Sequence, residues 1–559
     1  MNKKKYGFTF VSVLLALALV AVGCTPKNES GNSGGNNGAA GAKKSEFRMN
    51  LASQPPTLDP AQVQDQVSAT VLNGIYEGLL RKDEHGNDVA GIAKEWKISD
   101  DGLTYTFTLR DDAKWSNGDP VTAGDFEFAW KRALDPNLKP EVAAYAYQLY
   151  YIKNAEKYNM GEAGATADDV AVKAVDEHTL EVTLNAPTPY FLSLMSFSIF
   201  FPVHQSVKDN EAWATDASTI ITNGSFKMTE WKKNTSITLV PNENYYAKDE
   251  VKLSKVYFTM VNDSGTELSM YKTNELDYAG MPTGLIPTEQ YESLKKSNAD
   301  EFHVQGTASI YYYMFNTTQE PFTNEKIRQA LSMAVSRQDI TEKIALGGEQ
   351  PAYGLVPPGI KGEKDEYRKE VKDDYFKEDI EEAKKLLAEG LKELGLDKMP
   401  AIKVAYNTNE RHQKIAEAIA NMWKVNLGVE TSIENQEWGV FIDNRNRLNF
   451  SVARGGNGAD YNDPMTFIDL FTSNSGNNNT GFKSPEYDAL VKKAYSTDDQ
   501  SVRMEAMASA EKLLIDSRAI MPLYYYSSVF MVKPGVKGVF MDYKGDVDYN
   551  RGYIEGAAE

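Results

Sequence analysis

The succession of strands and helices along this 559-residue chain predicts an α/β fold. The clearest indication is a βαβ unit in the second half, with a strand at Ala401–Tyr406, a helix at Asn409–Leu427 and a strand at Val429–Glu434. Gly428 directly follows this helix, at a position where glycine commonly ends a helix. Elsewhere, short alternating segments such as Leu103–Leu109 precede helical patterns. With 42% hydrophobic and 25% charged residues, the chain is long enough for several domains with apolar cores.

The other predicted elements rest on alternation, on helical spacing of apolar residues and on capping residues. Pro55 and Pro56 interrupt the first strand, and Thr122 followed by Asp125 predicts a capped helix start. The expected strands are Phe47–Leu58, Leu180–Leu184, Ser236–Val240, Val256–Met260, Asp300–Val304 and Ile520–Tyr526. The expected helices are one around Val71–Leu79, then Asp125–Ala133, Asn324–Val335, Asp379–Leu394 and Met504–Ile515.

The N-terminus has the features of a secretory signal peptide at residues 1–23. Lys3, Lys4 and Lys5 precede the apolar run Phe8–Val22, which is shorter than the about 20 residues that a membrane helix needs. Cys24, the single cysteine of the sequence, follows at a position that resembles a bacterial lipobox. We therefore expect a lipid on Cys24 and anchoring at the extracellular face of the cell membrane, with a core cysteine as the alternative. Residues 24–45 are rich in Gly, Asn and Ser and predict a flexible tether.

The composition disfavours several classes of function. A formal net charge of −19 argues against nucleic-acid binding. The five histidines are scattered without an H-E-x-x-H motif, and no P-loop occurs. Asp460 and Asp463 could form a carboxylate pair of the kind that glycosidases use, but Asp463 precedes Pro464 and is typical of a turn. We therefore expect no enzyme activity, metal or cofactor, and a surface hydrolase is the less favoured alternative.

The segment VARGGNGADYNDP, at Val452–Pro464, is the strongest candidate for a binding site. Arg454 and Asp460 stand at its two ends, and the residues between them include several glycines, which allow another backbone to approach closely. A free peptide could add to this segment as a strand, with its amine on Asp460 and its carboxylate on Arg454. A glycine-rich surface turn closed by an Arg–Asp pair is the alternative.

Four separated segments resemble the oligopeptide-binding lipoproteins of bacterial ABC importers, the extracellular solute-binding proteins of family 5. They are SNGDPVTAGDFEFAWKRALDP (Ser116–Pro136), NAPTPYF (Asn185–Phe191), ITNGSFKMTEW (Ile221–Trp231) and ADYNDP, and they occur in the family's order. The resemblance extends from about Phe47 to the C-terminus. It implies a two-lobed, periplasmic-binding-protein-like α/β fold of type II, in the peptide-binding class, with an extra domain in one lobe.

Together with the element order, the resemblance implies three domains after the tether. Domain I comprises residues 46–76, 196–308 and 527–559, domain II comprises 77–195, and domain III, the second lobe, comprises 309–526. The tyrosine triplets Tyr311–Tyr313 and Tyr524–Tyr526 are expected to mark two strands where the chain crosses between the lobes, with two ordinary core strands as the alternative. Hinge closure over a ligand is the expected motion.

The same resemblance implies roles for individual residues. Asp460 matches the family's partner of the peptide α-amine, and Arg454 matches an arginine that meets the carboxyl end of short peptides. His412 and Lys343 match positions that meet the carboxylates of longer peptides, with a solvated helix residue and a surface lysine as the respective alternatives. The positions around the peptide backbone and its side-chain pockets are matched by Gln64, Asp65, Gln66, Trp438, Arg445, Gly456, Asn457, Gly458 and Tyr526.

The implied function is the capture of oligopeptides between two lobes and their delivery to a membrane permease. The expected partners are short peptides, the permease of an ABC importer, and the membrane through the N-terminal lipid, with a monomeric protein and no nucleic acid. Within the same fold, a peptide pheromone or signal, a metal chelate or haem are alternative ligands. Asp460 favours a peptide over a chelate or haem, because it offers a partner for an amine that a chelate does not require.

Overall fold

A computed structural model of the protein describes residues 45–63, 65–139, 143, 145–210, 212–436, 438–497 and 499–556. All of them belong to the unit formed by residues 43–559. The predicted signal peptide and Cys24 lie outside the described residues. The strands are β1 Glu46–Asn50, β2 Leu80–Lys82, β3 Asp88–Ala90, β4 Ala93–Ile98, β5 Thr104–Leu109, β6 Val172–Asp176, β7 Thr179–Thr183, β8 Phe226–Lys232, β9 Ser236–Pro241, β10 Lys255–Thr259, β11 Tyr278–Gly280, β12 Phe302–Phe315, β13 Gln350–Pro351, β14 Ile402–Asn407, β15 Thr431–Gln436, β16 Val452–Gly458, β17 Ile520–Val532, β18 Val536–Lys537, β19 Phe540–Met541, β20 Val547–Asp548 and β21 Tyr553–Ile554. The helices are α1 Gln66–Ile75, α2 Ala123–Ala133, α3 Ala155–Asn159, α4 Phe191–Leu194, α5 Ser264–Lys272, α6 Tyr291–Ser297, α7 Glu325–Met333, α8 Arg337–Ile340, α9 Tyr367–Glu370, α10 Ile380–Leu394, α11 Glu410–Leu427, α12 Trp438–Asn446, α13 Met465–Ile468, α14 Pro485–Tyr495 and α15 Gln500–Ser517.

A mixed sheet of eleven strands organises this fold, in the order β15-β14-β16-β12-β17-β11-β1-β10-β9-β8, with β13 beside β17. The long strands β12 and β17 lie in the middle and pair in antiparallel fashion. Tyr311, Tyr313 and Tyr524, from the two predicted tyrosine triplets, are fully buried in these strands. β12 and β17 therefore join the two ends of the sheet.

The pairing of β12 with β17 changes register near the middle of both strands. Gly306 lies opposite Ser527, but the next paired residue of β12, Ile310, lies opposite Tyr525. The residues of β12 between these two pairs form a bulge, which bends a strand locally. On one side of the bulge β17 continues to β11, and on the other side β12 continues to β16. This arrangement is what two lobes joined by a pair of crossing strands require.

The predicted βαβ unit is confirmed. β14 and β15 are parallel neighbours, and α11 connects them. The Asn409 side chain caps α11 by accepting a hydrogen bond from the His412 amide at 3.2 Å, and Gly428 ends the helix with a left-handed φ of 68°. Ile415 and Trp423 face the apolar core beside the sheet and are fully buried. Local signals at both ends of α11 therefore suffice to define it.

Other boundaries differ from the prediction. β1 ends at Asn50 instead of Leu58, because Ala52 adopts a left-handed φ of 58° and two prolines follow. The segment predicted as Asp300–Val304 overlaps the longer strand β12, which begins at Phe302, and Ile520–Tyr526 belongs to the longer strand β17. Both of these strands are longer because each one continues through the crossing between the two ends of the sheet.

Two helices near the C-terminal part of the chain show the effect of capping residues. α14 is absent from the sequence prediction, although Ser484 caps it and Pro485 occupies its first turn, where proline is favoured. α15 begins at Gln500, earlier than the predicted Met504, because the Asp499 carboxylate accepts hydrogen bonds from its first-turn amides at 3.0 and 3.2 Å. Caps therefore place both helix starts more accurately than apolar spacing does.

A second sheet, in the antiparallel order β4-β5-β7-β6, is formed by residues between 93 and 183. α2 packs against β6 and β7. The predicted cap of α2 is confirmed, since the Thr122 amide donates to the Asp125 carboxylate at 2.9 Å. Trp130 in α2 and Trp115, whose indole donates to Asp125, are both fully buried.

A fully buried carboxylate connects several segments of the second half of the chain. Glu511 in α15 is 0% exposed. It accepts hydrogen bonds from the amides of Leu355 and Val356 at 2.7 and 2.9 Å and forms an ion pair with Arg368 at the start of α9. Two tyrosine hydroxyls donate to its second oxygen at 2.9 and 3.2 Å. Each partner loses its hydrogen bond if this one side chain is removed.

Among the described residues, no helix has the length and apolar character needed to cross a membrane. The same part of the chain contains no cluster of three or more His, Cys, Asp or Glu side chains arranged to hold a metal ion.

Candidate functional site

The candidate site begins with an open sheet edge on β16. One edge of this strand pairs with β12 from Val452 to Gly458. On the other edge, β14 pairs with Val452 and Ala453, and no other described strand lies beside Arg454–Gly458. The backbone groups on this part of the edge are therefore available to an added strand.

Glycine is required where β16 packs against β12. A Cβ atom on Gly455 would overlap the ring of Tyr312, and one on Gly456 would lie 3.0 Å from the carbonyl oxygen of Ile310. Gly455 is buried, whereas Gly456 is partly exposed and Gly458 is exposed. The glycines of the predicted docking segment therefore allow the close packing on β12, and the backbone is accessible at Gly456 and Gly458.

Asp460 follows β16 and lines a cavity of about 560 Å³. Its carboxylate accepts hydrogen bonds from the Gln148 side-chain amide at 2.9 Å and from the Tyr147 hydroxyl at 3.2 Å. Within the described residues, no basic side chain forms an ion pair with it. Burial raises the pKa of Asp460, although the Tyr147 hydrogen bond and the charge of Lys544 act in the opposite direction. A half-buried carboxylate without an ion-pair partner among the described residues is suited to receive an ammonium group from a ligand.

Asp463, three residues further on, is in a different environment. Its two oxygens accept hydrogen bonds from the Arg503 guanidinium at 2.7 and 2.9 Å, and one of them also accepts from the Met465 amide at 2.9 Å. The charge of Asp463 is therefore already matched, in agreement with its predicted role in the turn.

At the other end of the open edge, Arg454 lies among aromatic side chains. Its Nη2 donates to the Tyr526 hydroxyl at 3.0 Å, and its guanidinium lies 5.0 Å from the centre of the Tyr311 ring. Its Nε has no hydrogen-bond partner. No carboxylate in the described part of the chain forms an ion pair with Arg454. The guanidinium therefore keeps an unmatched charge and further N–H donors for an anionic group.

Arg445 and His412 lie close enough to Arg454 for its charge to affect their pKa values. Burial lowers the pKa of Arg445, and the charge of Arg454 lowers it further. The His412 Nδ1 lies 3.3 Å from the Tyr311 hydroxyl. Burial, followed by the charges of Arg454 and Arg411, lowers the pKa of His412 to about 3. We call Arg445, Arg454 and His412 the Arg454 group; its two guanidinium charges are suited to a carboxylate.

The His412→Asn substitution should reduce the acid sensitivity of the protein. The pKa of His412 falls from 6.5 to about 3 on folding, so the unfolded chain binds this proton more readily. The residue therefore contributes stability above about pH 6.5 that is lost progressively as the pH falls toward 3. We expect the melting temperature of the native protein to fall more steeply below pH 6.5 than that of the variant, as measured by circular dichroism. Parallel pH profiles for the two proteins would contradict this assignment.

The predicted residues near the start of α1 are held by hydrogen bonds. The Asp65 carboxylate caps the helix by accepting from the Ser68 amide at 2.9 Å. The Gln66 side-chain amide donates to the Asp546 carboxylate. Gln64 lies outside the described residues. The side chains of Asp65 and Gln66 are thus already engaged, and their backbone is the part that could serve a ligand.

The remaining predicted residues lie in three different settings. Lys343 pairs with Asp339 at 2.6 Å and its side chain is 68% exposed, which matches the alternative of a surface lysine. Trp438 is the first residue of α12, and its side chain lies outside what the structure describes. Asn457 accepts a hydrogen bond from the Tyr312 hydroxyl at 3.4 Å, beside the open edge.

The sequence analysis does not identify the wall of the cavity that faces Asp460. This wall comes mostly from residues far along the chain from Asp460 and consists of Tyr145, Tyr147, Gln148, Tyr151, Asp469 and Tyr495. The sequence YAYQLYY at residues 145–151 is an available signal, because it is unusually dense in tyrosine. Its pattern alone does not distinguish the wall of a cavity from an ordinary core.

Comparisons with known proteins show which family the chain belongs to. The family model described as bacterial extracellular solute-binding proteins, family 5 Middle, matches residues 89–479. The oligopeptide-binding protein OppA of Bacillus subtilis (strain 168) is 42% identical over 558 residues, which cover 99% of this chain and 100% of that protein.

Solved structures show the same relationship in three dimensions. The Escherichia coli murein tripeptide binding protein MppA is similar with a TM-score of 0.76 and 33% identity, over 92% of this chain and 99% of that chain. Listeria monocytogenes OppA bound to peptide is similar with a TM-score of 0.74 and 32% identity, over 91% and 99% of the two chains. Sequence and fold comparisons agree, and the chain belongs to the bacterial extracellular solute-binding proteins of family 5.

Proposed function

We propose that this protein is a monomeric binding protein that captures oligopeptides and delivers them to the membrane permease of an ABC importer. The observation that carries the proposal is the open edge of β16 between Arg454 and Asp460. A peptide that adds to this edge makes main-chain hydrogen bonds that do not depend on its sequence. Similarity to proteins named for oligopeptide and dipeptide binding supports this function.

The two ends of the peptide meet opposite charges in this proposal. Its α-ammonium binds Asp460, and its carboxylate binds Arg454 or, for longer peptides, another member of the Arg454 group. The five edge residues 454–458 are separated by four steps of about 3.3 Å and therefore span roughly 13 Å. A peptide of a few residues therefore fits between the two charges, and its length decides which member of the Arg454 group its carboxylate reaches.

We also propose that the peptide is enclosed between two lobes, with domain boundaries at 308/309 and 526/527. Both boundaries lie at the register change between β12 and β17. The Asp460 cavity is lined by residues 145–151 of the proposed domain II and by residues 456–477 of the proposed domain III. In this arrangement the backbone of residues 64–66 contacts the peptide from the lobe opposite β16.

Backbone N-methylation of a tetrapeptide tests strand addition directly. A strand directs alternate amides toward one neighbour, so methylation at alternate positions should remove a hydrogen bond to β16, and methylation at the others should not. We expect affinity to fall about tenfold at the alternate positions, because a lost hydrogen bond in a buried site costs about 1–3 kcal/mol. Isothermal titration calorimetry measures this pattern. Equal tolerance of methylation at every position would contradict strand addition.

We propose binding without chemistry, so a peptide incubated with the protein should be recovered intact. Mass spectrometry of the ligand released after several hours of incubation measures whether the peptide is intact. If the protein cleaved more than one molar equivalent of peptide, and if this activity remained after the protein was purified again, the hydrolase alternative would be supported instead.

We propose that a lipid on Cys24 holds the protein at the extracellular face of the cell membrane, with residues 24–45 as a tether. The intact mass of protein purified from cells should then correspond to a chain that begins at Cys24 and carries acyl groups. Cys24→Ser should abolish the acyl mass and leave peptide affinity unchanged. A native chain that starts elsewhere, or that lacks acyl groups, would contradict the anchor.

A further inference from the structure

The cavity that contains Asp460 holds a second carboxylate, Asp469, which follows α13. The Tyr495 hydroxyl donates a hydrogen bond to its Oδ2 at 2.7 Å. In the described part of the chain, no Lys, Arg or His side chain forms an ion pair with Asp469. The nearby guanidinium of Arg503 is engaged by both oxygens of Asp463. The cavity therefore contains two carboxylates, and no cation of the described residues pairs with either of them.

The charge on Asp469 is unfavourable in the unliganded protein. Burial, together with the neighbouring charges of Asp460 and Asp463, raises the pKa of Asp469 to about 7, although the Tyr495 hydrogen bond acts in the opposite direction. A ligand that brings one positive charge can match Asp460 or Asp469, but not both. A ligand with two positive charges matches both carboxylates, and this gain is independent of the main-chain hydrogen bonds along β16.

A second feature of the cavity wall also indicates a ligand rich in hydrogen-bond donors. Gln148 is 2% exposed and lines the cavity, where its Nε2 donates to Asp460. Its Oε1 has no hydrogen-bond partner. An ammonium group carries three donors, so an α-amine on Asp460 has a donor left for this oxygen. The unpaired Oε1 belongs to the side chain that donates to Asp460, so an ammonium bound there is the donor that we expect for it.

We propose that Asp469 makes this site prefer peptides whose first residue has a cationic side chain. In this arrangement the peptide α-ammonium binds Asp460 and the side-chain cation of the same residue binds Asp469. The α-amine and the side chain of the first residue are attached to the same Cα atom. A side chain at this position therefore extends within the cavity that both carboxylates line. The inference rests on the proposed peptide-binding function and adds a substrate class to it.

Two tetrapeptides, Lys-Ala-Ala-Ala and norleucine-Ala-Ala-Ala, test the preference. They share length, termini and an aliphatic first side chain, and they differ in the terminal ammonium of lysine. We expect the native protein to bind the lysine peptide about tenfold more tightly in calorimetric titrations, because only the lysine side chain brings a charged donor to Asp469. A third peptide with an acetylated lysine side chain should bind like the norleucine peptide.

The matched variants are Asp469→Asn and Asp397→Asn. The asparagine side chain in the first variant keeps an oxygen for the Tyr495 hydroxyl but lacks the charge, so the affinities of the lysine and norleucine peptides should differ by no more than about twofold. Asp397 is exposed in the loop after α10, and its variant should keep the native preference. Equal binding of the three peptides by the native protein, or full preference in Asp469→Asn, would overturn this inference alone. Failure of the native protein to bind any of the peptides would instead refute the proposed function.

Discussion

Peptide binding by an Asp460→Ala variant should be weaker by about 30-fold or more, since truncating one partner of a buried charge pair costs about 2–5 kcal/mol. In the bound state the α-ammonium would keep Gln148 as a neighbour but lose the carboxylate that compensates its charge. N-acetylated peptides should bind the native protein poorly for the same reason. Calorimetric titration of one peptide in free and acetylated form measures both effects.

The stability of the Asp460→Ala variant separates a binding effect from misfolding. Burial raises the pKa of Asp460 above its ordinary value, so the charged carboxylate destabilises the unliganded fold above about pH 3.8. Its removal should therefore leave the melting temperature at neutral pH unchanged or slightly higher. Asp397→Ala, in an exposed loop, serves as the control for both measurements. If acetylated and free peptides bound the native protein equally, Asp460 would not be the partner of the amine.

The Glu511→Ala substitution should have the largest effect on stability, about 3–5 kcal/mol in the free energy of unfolding, as expected when a buried ion pair loses one partner. The change leaves the Arg368 guanidinium without its carboxylate and the amides of Leu355 and Val356 without an acceptor. Urea unfolding followed by tryptophan fluorescence measures the loss. Glu505→Ala on the exposed face of the same helix is the matched control and should change stability by less than about 0.5 kcal/mol. Similar losses in the two variants would show that the buried network contributes little.

Elements with signals at both ends could be predicted closely from the sequence. The βαβ unit around α11 is the best example, because Asn409 and Gly428 define its helix locally. The long strands β12 and β17 are harder to predict, because a tyrosine triplet is equally compatible with an ordinary core strand and with a strand that crosses between two lobes. The register change between them depends on tertiary contacts, such as the 2.7 Å hydrogen bond from the Ala308 amide to the Tyr543 carbonyl. No local pattern encodes such a contact.

The candidate site was predictable where it is contiguous in sequence. Arg454 and Asp460 flank a glycine run, and this spacing points to a docking segment with a charge at each end. The partners of Asp460 were not predictable in this way. Gln148 lies 312 residues before Asp460, and the hydrogen bond between their side chains depends on the packing of two distant segments. Asp469 is close in sequence, but only the cavity shows that its carboxylate lacks a cation among the described residues.

A crystal structure of the protein with a bound tetrapeptide that carries selenomethionine at its second position tests the central claim most directly. Anomalous scattering from selenium fixes the direction of the peptide chain. We predict an extended peptide, hydrogen-bonded to the edge of β16 at residues 454–458, with its amine on Asp460 and its carboxylate on the Arg454 group. A peptide bound elsewhere, or bound at this edge with its carboxylate toward Asp460, would contradict the account.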